Sequence, residues 1–148
     1  MGNNLPPPPN QQENNATVEG VDANNNGVRD DVELAIFEKY PDSPRVRAAQ
    51  LQYALTQQMF LTRVFDSETW KAVAEEDSRG YACISETHPR TDLKNYIEVT
   101  DNRTKEVEGW VFNTSGRQIV KDQAYEFATS YGLPNTDLCH ISLEILPN

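Results

Sequence analysis

The sequence predicts a mainly α-helical protein, a small bundle of four to five helices that follows an extended N-terminal segment. In several stretches of the 148-residue chain, apolar residues recur at the three- and four-residue spacing of a buried helix face. Residues that favour helix ends flank these stretches, for example Ser43-Pro44 at a start and Gly132 at an end. Since a chain of this length can bury a sufficient apolar core, we expect one domain over residues 20–148.

Residues 1–19 are predicted to be a disordered tether. They include four consecutive prolines, Pro6 to Pro9, and many Asn and Gln residues with almost no apolar side chain. Such a segment buries too little apolar surface to offset the entropy lost on ordering. Its composition resembles the spacer behind the lipidated cysteine of mature bacterial lipoproteins, which implies a lipid anchor upstream. A proline-rich ligand for an aromatic groove is the alternative interpretation.

The first predicted helix runs from about Asp30 to Lys39 and is ended by Tyr40-Pro41. A second helix starts where Ser43 can act as N-cap and Pro44 occupies the first helical position. The apolar stripe of this second helix comprises Val46, Ala49, Tyr53, Phe60 and Val64.

A third helix is expected to start at Asp66 or Ser67 and to be broken by His88-Pro89. A fourth helical region follows from Thr91 or Asp92 to about Ser115-Gly116. Because residues 96–112 are rich in β-branched and aromatic types, a β-hairpin there, within an α+β fold, is the alternative. A last helix is predicted from Gln118 to Tyr131, followed by an apolar tail.

The segment from Asp22 to Glu33 carries the clearest chemical signal of the chain, a DxNxNGxxDxxE pattern. A hard cation such as Ca²⁺ binds six to eight oxygen atoms, and this spacing supplies them. The expected ligands, at loop positions 1, 3, 5, 7, 9 and 12, are Asp22, Asn24, Asn26, the carbonyl of Val28, Asp30 and Glu33. Gly27 permits the sharp turn. The alternative is a capped helix start in which Asp30 and Glu33 form the capping pair.

This loop resembles the EF-hand family, and more closely the single, unpaired loops of bacterial extracytoplasmic proteins. The resemblance covers about residues 20–38. Position 8, which is apolar where two EF-hand loops pair, is Arg29 here, and no amphipathic helix precedes Asp22. The resemblance therefore implies one calcium site that stabilises the chain, without a switch that opens an apolar groove.

The two cysteines, Cys83 and Cys139, are predicted to form one disulfide between the third helix and the C-terminal tail. Together with the calcium loop, a disulfide favours an oxidising compartment, so we expect an exported protein that is periplasmic, attached to the outer membrane or extracellular. Two free buried thiols, or a zinc site that also uses His88 and His140, are the alternatives.

The net charge of −10 disfavours binding to nucleic acid, and no apolar run is long enough for a transmembrane segment. Because the domain is acidic, we expect a basic protein partner, which the domain could bind as an inhibitor or immunity factor. No GxSxG, HExxH or Gly-rich phosphate loop is present, so we expect no enzymatic activity. The alternative is an enzyme with a calcium-ordered loop and an active site that the sequence does not disclose.

Overall fold

The computed structural model describes residues 5–133 and 135–147, which form a helical bundle. Its helices are α1 (Gln11–Ala16), α2 (Asp30–Lys39), α3 (Pro44–Thr62), α4 (Ser67–Ser85), α5 (Leu93–Val111) and α6 (Ser115–Tyr125), with a 3₁₀ turn at Leu143–Ile145. The predicted mainly helical fold is confirmed. The described residues contain no β-strand, and none of their helices has the length and apolar character that crossing a bilayer requires.

Helix α3 lies at the centre of the bundle and packs against α2, α4, α5 and α6. Since it has neighbours on several sides, it buries polar side chains such as Gln50 and Gln57 as well as apolar ones. The main apolar core joins α3 to residues of the other helices and of the C-terminal tail, including Val32, Ile36, Ile84, Val107 and Leu143. Helix α3 thus provides one scaffold on which α2, α4, α5 and α6 pack.

The predicted helix starts are confirmed at three N-caps. The Ser43 hydroxyl accepts a hydrogen bond from the N–H of Val46 at 3.3 Å. Asp66 forms a capping box with Thr69, and Asp92 accepts from the N–H of Lys94 at 3.0 Å. Each cap depends only on residues two or three positions away, which explains why the sequence pattern locates it.

The hairpin alternative for residues 96–112 is wrong, because this stretch lies within the single helix α5. Its buried side chains recur at helical spacing, at Thr100, Thr104, Val107 and Val111. Asp101, in the middle of this stretch, accepts a hydrogen bond from the Tyr81 hydroxyl of α4 at 2.8 Å. Helical burial of one stripe therefore outweighs the β propensity of the segment.

The predicted bounds of the last helix need correction, since α6 begins at Ser115 and ends at Tyr125. Thr114 acts as its N-cap, accepting from the N–H of Arg117 at 3.2 Å. Tyr131, expected at the helix end, lies outside the helix and its ring packs edge-on against Trp70 with the centroids 5.5 Å apart. A local cap and a tertiary aromatic contact thus set these bounds.

Residues 1–4 of the expected disordered tether lie outside the described residues, and residues 5–19 differ from the expectation because they contain α1 and its contacts. Asn10 caps α1 by accepting from the N–H groups of Gln12 and Glu13, and Asn14 is buried. The Asn14 Oδ1 accepts from the N–H of Val21 at 2.9 Å, which joins α1 to the residues that precede the loop. These contacts replace the apolar burial that the segment lacks.

The predicted disulfide is present between Cys83 of α4 and Cys139, so the free-thiol and zinc-site alternatives are wrong. It fixes residues 137–147, which we call the C-terminal strap, across α3 and α4. Gln52 of α3 donates to the carbonyl of Leu138 at 2.8 Å and accepts from the N–H of His140 at 2.7 Å. The strap is therefore held by side-chain to backbone hydrogen bonds as well as by the covalent link.

Candidate functional site

The loop of residues 22–33 connects the N-terminal segment to α2. The N–H of Asp30 donates to the carbonyl of Val21 at 2.8 Å and closes the loop at its base. Asn25 and Gly27 adopt positive φ angles of 54° and 86°. Glycine is favoured at position 27 by its backbone angle, and an added Cβ atom would lie 2.6 Å from a Leu55 methyl carbon, which would have to move.

The Asp22 carboxylate organises the first half of the loop. Its Oδ2 accepts from the N–H of Gly27 at 2.8 Å, and its Oδ1 accepts from the N–H of Asn26 at 3.2 Å. The Asn24 Oδ1 lies 3.3 Å from the same Asn26 nitrogen. The oxygens of the first two expected ligands thus point toward one turn of backbone.

The Glu33 carboxylate reaches back from α2 to the two asparagines of the loop. Its Oε2 accepts from Asn24 Nδ2 at 3.1 Å and from Asn26 Nδ2 at 2.9 Å. Glu33 is buried, and the Asn26 Oδ1 accepts from the N–H of Val28 at 2.9 Å. The residues at loop positions 3, 5 and 12 are therefore in direct contact.

Asp30 is the first residue of α2 and is fully buried. Both of its carboxylate oxygens lie 3.1 Å from the N–H of Ala23, across the base of the loop. Burial raises the pKa of Asp30, and repulsion from Asp22, Glu33 and Asp31 raises it further, while the Ala23 hydrogen bond opposes this shift.

The alternative of a simple capped helix start is wrong, because Asp30 and Glu33 do not form the capping hydrogen bonds that it requires. The N-cap of α2 is Arg29, which makes no side-chain capping bond, and Asp30 points into the loop instead. The Glu33 carboxylate likewise contacts the asparagine amides rather than a backbone N–H at the helix start. The side chains of Asp30 and Glu33 therefore hydrogen-bond within the loop and do not cap α2.

The expected ligand set is rich in oxygen. It comprises three carboxylates, two amides and the carbonyl of Val28, to which no N–H of the described residues donates. Within residues 5–133 and 135–147, no group of three or more His, Cys, Asp or Glu side chains is arranged to hold a metal ion. The asparagine nitrogens, not their oxygens, face Glu33 here, so the loop satisfies its own polar groups.

Arg29, noted in the sequence only as an unusual residue at loop position 8, is fully buried. Its guanidinium donates to the carbonyls of Trp110 at 2.6 Å and Val111 at 3.0 Å, at the end of α5, and it pairs with Asp31. A cation at a helix C-terminus interacts favourably with the carbonyls exposed there. Arg29 thus attaches the loop of residues 22–33 to the bundle.

Arg117 attaches α1 to the bundle in the same way. The sequence analysis did not identify this residue. It is fully buried and donates to the carbonyls of Asn14 at 2.5 Å and Val18 at 3.1 Å. Asn113 Oδ1 accepts from both arginines, at 2.7 Å from Arg117 and 3.2 Å from Arg29. Burial lowers the pKa of Arg117, and so does the charge of Arg29, while Asp31 opposes this.

A second group of titratable side chains lies between α3, α4, α5 and α6. Burial raises the pKa of Asp77 to about 6, against the hydrogen bond that Gln57 donates to its Oδ1 at 2.5 Å. Tyr53 donates its hydroxyl to Glu108 at 2.8 Å, and burial raises the pKa of Tyr53. These groups form two separate hydrogen-bonded pairs, Gln57 with Asp77 and Tyr53 with Glu108, and the sequence gives no pattern that identifies them.

Comparisons with protein-family models, with curated proteins and with solved structures found no match to this chain. Its function is therefore inferred from its own residues and their arrangement.

Proposed function

We propose that the loop of residues 22–33 binds one Ca²⁺ ion and that the ion stabilises the junction between the N-terminal segment, α2 and the bundle. The oxygen donors are those of the sequence pattern, listed as Asp22, Asn24, Asn26, the Val28 carbonyl, Asp30 and Glu33. In this proposal the loop is a single EF-hand-type site without a partner loop.

The observation that carries the proposal is the convergence of Asn24, Asn26 and Glu33. Glu33 comes from α2 and the asparagines come from the opposite side of the loop, yet Glu33 Oε2 lies within 3.1 Å of both amides. Rotation of each amide would present its oxygen in place of its nitrogen. A cation would then be surrounded by the carboxylate and amide oxygens that Ca²⁺ prefers.

Repulsion between the carboxylates of the loop also supports the proposal that the loop binds Ca²⁺. Asp22, Asp30 and Glu33 lie within one twelve-residue loop, and the first and third of these carboxylates disfavour the ionised form of Asp30. In the absence of a cation, this mutual repulsion opposes the closed loop. A divalent ion bound in the loop would turn this repulsion into attraction.

The wider role that we propose is that of an exported structural or protein-binding domain. The disulfide suits an oxidising compartment, and the net charge of −10 suits a basic protein partner, as for an inhibitor or immunity factor. Arg29, buried at loop position 8, occupies the place where a second loop would pair. The ion would accordingly act within one chain to hold its fold.

Thermal unfolding with Ca²⁺, with Mg²⁺ and with a chelator tests the site. A single site of this type should bind with a Kd of about 10⁻⁴ to 10⁻³ M. At ten times Kd, Ca²⁺ should stabilise the protein by about 1.4 kcal/mol and raise the unfolding midpoint by about 4 °C. Mg²⁺ should have a smaller effect because it demands a tighter octahedral geometry.

The double variant Asp22→Ala with Glu33→Ala should lose the calcium response. A matched control, Glu38→Ala with Asp122→Ala, removes two exposed acids outside the loop and should keep it. Calorimetric titration of the wild type provides a second readout that does not depend on the stability of either variant. Absence of calcium binding in that titration, or an equal loss of response in both variants, would refute the site.

A further inference from the structure

A cleft runs beneath the C-terminal strap, along one face of α3. It consists of two neighbouring cavities of about 210 Å³ and 300 Å³, and both are lined by Ala48, Leu51 and Ile141. From Pro44 at one end to Leu55 at the other, the cleft follows twelve residues of helix, or about 16 Å. It is therefore long and narrow rather than round.

The walls of this cleft are mainly apolar. Leu51 and Leu55 of α3 form its floor, while Ile141 and Leu146 of the strap form its roof. Leu51, Leu55 and Leu146 are only partly buried and Ile141 is exposed, so apolar surface on both sides remains in contact with solvent. An alkyl chain placed between floor and roof would remove that apolar surface from water, which favours binding.

The charge at one end of the cleft favours an anion. The protein has 23 acidic and 13 basic residues, yet no carboxylate lines either cavity among the described residues. Arg47 lies at the end formed by Pro44 and Phe37, and it also borders a separate cavity that Asp31 and Glu38 line. This end is also the N-terminus of α3, where the helix dipole attracts negative charge.

The guanidinium of Arg47 is held in place and still has donors to offer. Its Nη1 donates to the carbonyls of Tyr40 at 2.7 Å and Pro41 at 2.5 Å, and it lies over the Phe37 ring at 4.7 Å from the centroid. Its Nε and Nη2 meet no acceptor among the described residues. Two donors of a fixed guanidinium match a carboxylate.

We propose that this cleft binds a single-chain anionic amphiphile, an alkyl carboxylate, with the carboxylate at Arg47 and the alkyl chain between α3 and the strap. The ligand is a free molecule, because the strap covers the cleft and would obstruct a chain that remains in a bilayer. This site is separate from the proposed calcium loop, and its occupancy does not depend on the metal ion.

Calorimetric titration with decanoate and with the neutral decanol tests the proposal. The wild type should bind decanoate saturably at one site. Arg47→Ala should weaken decanoate binding at least fivefold and change decanol binding by less than twofold. The matched control Arg63→Ala, which removes an exposed arginine at the far end of the same helix, should leave both unchanged.

A blocking variant and a mapping experiment locate the ligand. Ala48→Phe should abolish binding of both compounds while retaining a cooperative thermal transition. In the wild type, decanoate should shift the methyl resonances of Ala48, Leu51 and Ile141, a readout that stays informative if the variant does not fold. The protein should not co-sediment with anionic phospholipid vesicles.

Three results would overturn the proposal. These are an absence of saturable decanoate binding to the wild type, equal weakening by Arg47→Ala and Arg63→Ala, and methyl shifts confined to residues outside the cleft. Sedimentation with vesicles together with no decanoate binding would assign the surface to a membrane instead.

Discussion

Arg29 and Arg117 carry positive charge into the interior, and each does so at the end of a helix. Arg29 contacts the last carbonyls of α5, and Arg117 contacts carbonyls at and just beyond the end of α1. Each side chain makes five hydrogen bonds, so its desolvation is offset by partners with partial or full negative charge. Their burial could not be predicted from sequence, because most partners are distant backbone carbonyls.

Asp77 gives the clearest prediction at the residue scale. Since its pKa is raised from 3.8 to about 6, the folded protein binds a proton in this interval more readily than the unfolded chain does. Its contribution to stability is therefore greatest below pH 4 and is lost as the pH rises through 6. Asp77→Asn can keep the Gln57 hydrogen bond and removes the buried charge, so it should stabilise the protein at pH 8 by about 2 kcal/mol.

Urea unfolding at pH 4, 6 and 8 checks this expectation for Asp77. The gain over the wild type should shrink as the pH falls and vanish near pH 4. A variant that is less stable than the wild type at every pH would show that the carboxylate is needed for its hydrogen bond rather than tolerated as a charge.

At the scale of elements, α1 has only six residues and is too short to be stable by itself. Its order comes from contacts to Arg117 and from the Asn14 bond to Val21, which are formed only in the folded protein. This explains why composition predicted disorder for a segment that is helical. By contrast, the starts of α3, α4 and α5 were predictable because Ser43, Asp66 and Asp92 cap their own helices.

Gly20 tests how α1 is attached to the bundle. Its φ is 68°, and an added Cβ would lie 2.2 Å from Arg29 Cδ and 2.9 Å from Arg117 Nη2. Gly20→Ala should therefore cost about 2 kcal/mol or more and expose α1 to protease before the bundle unfolds. Urea unfolding and limited proteolysis measure the two effects.

Gly109 provides the control for Gly20. It lies on the exposed side of α5 with no heavy atom within 4 Å of an added Cβ. Gly109→Ala should stabilise the helix by about 0.5 to 1 kcal/mol. If Gly20→Ala behaved like Gly109→Ala, the close approach of the two arginines to the segment would be refuted.

At the scale of the whole molecule, two segments are attached to the helical bundle. The disulfide and side-chain hydrogen bonds hold the strap, and buried arginines hold the N-terminal segment. The disulfide was predictable because the chain has only two cysteines. The path of the strap was not, since it depends on Gln52, Arg45 and Arg79, whose partners are backbone carbonyls. The loop spacing predicted Asn24, Asn26 and Glu33 as ligands of one ion, which stays a prediction, and it gave no indication that the amide nitrogens would face Glu33.

Removal of the disulfide tests the attachment of the strap. Cys83 and Cys139 close a loop of 56 residues, so Cys83→Ser with Cys139→Ser should destabilise the protein by about 4 kcal/mol in the chain-entropy model. Hydrogen exchange should show the strap opening before α3. A loss below 1 kcal/mol with a protected strap would mean that the hydrogen bonds alone hold it.

The contacts of Arg117 also determine when α1 can become ordered during translation. Arg117 lies 99 to 103 positions after the three carbonyls that it binds near the end of α1. At about 5 to 20 residues per second, translation from those carbonyls to the arginine takes about 5 to 20 seconds. Throughout that interval the nascent chain lacks the group that orders α1. A segment made early thus folds late, and it remains accessible meanwhile to any enzyme or chaperone that acts on the growing chain.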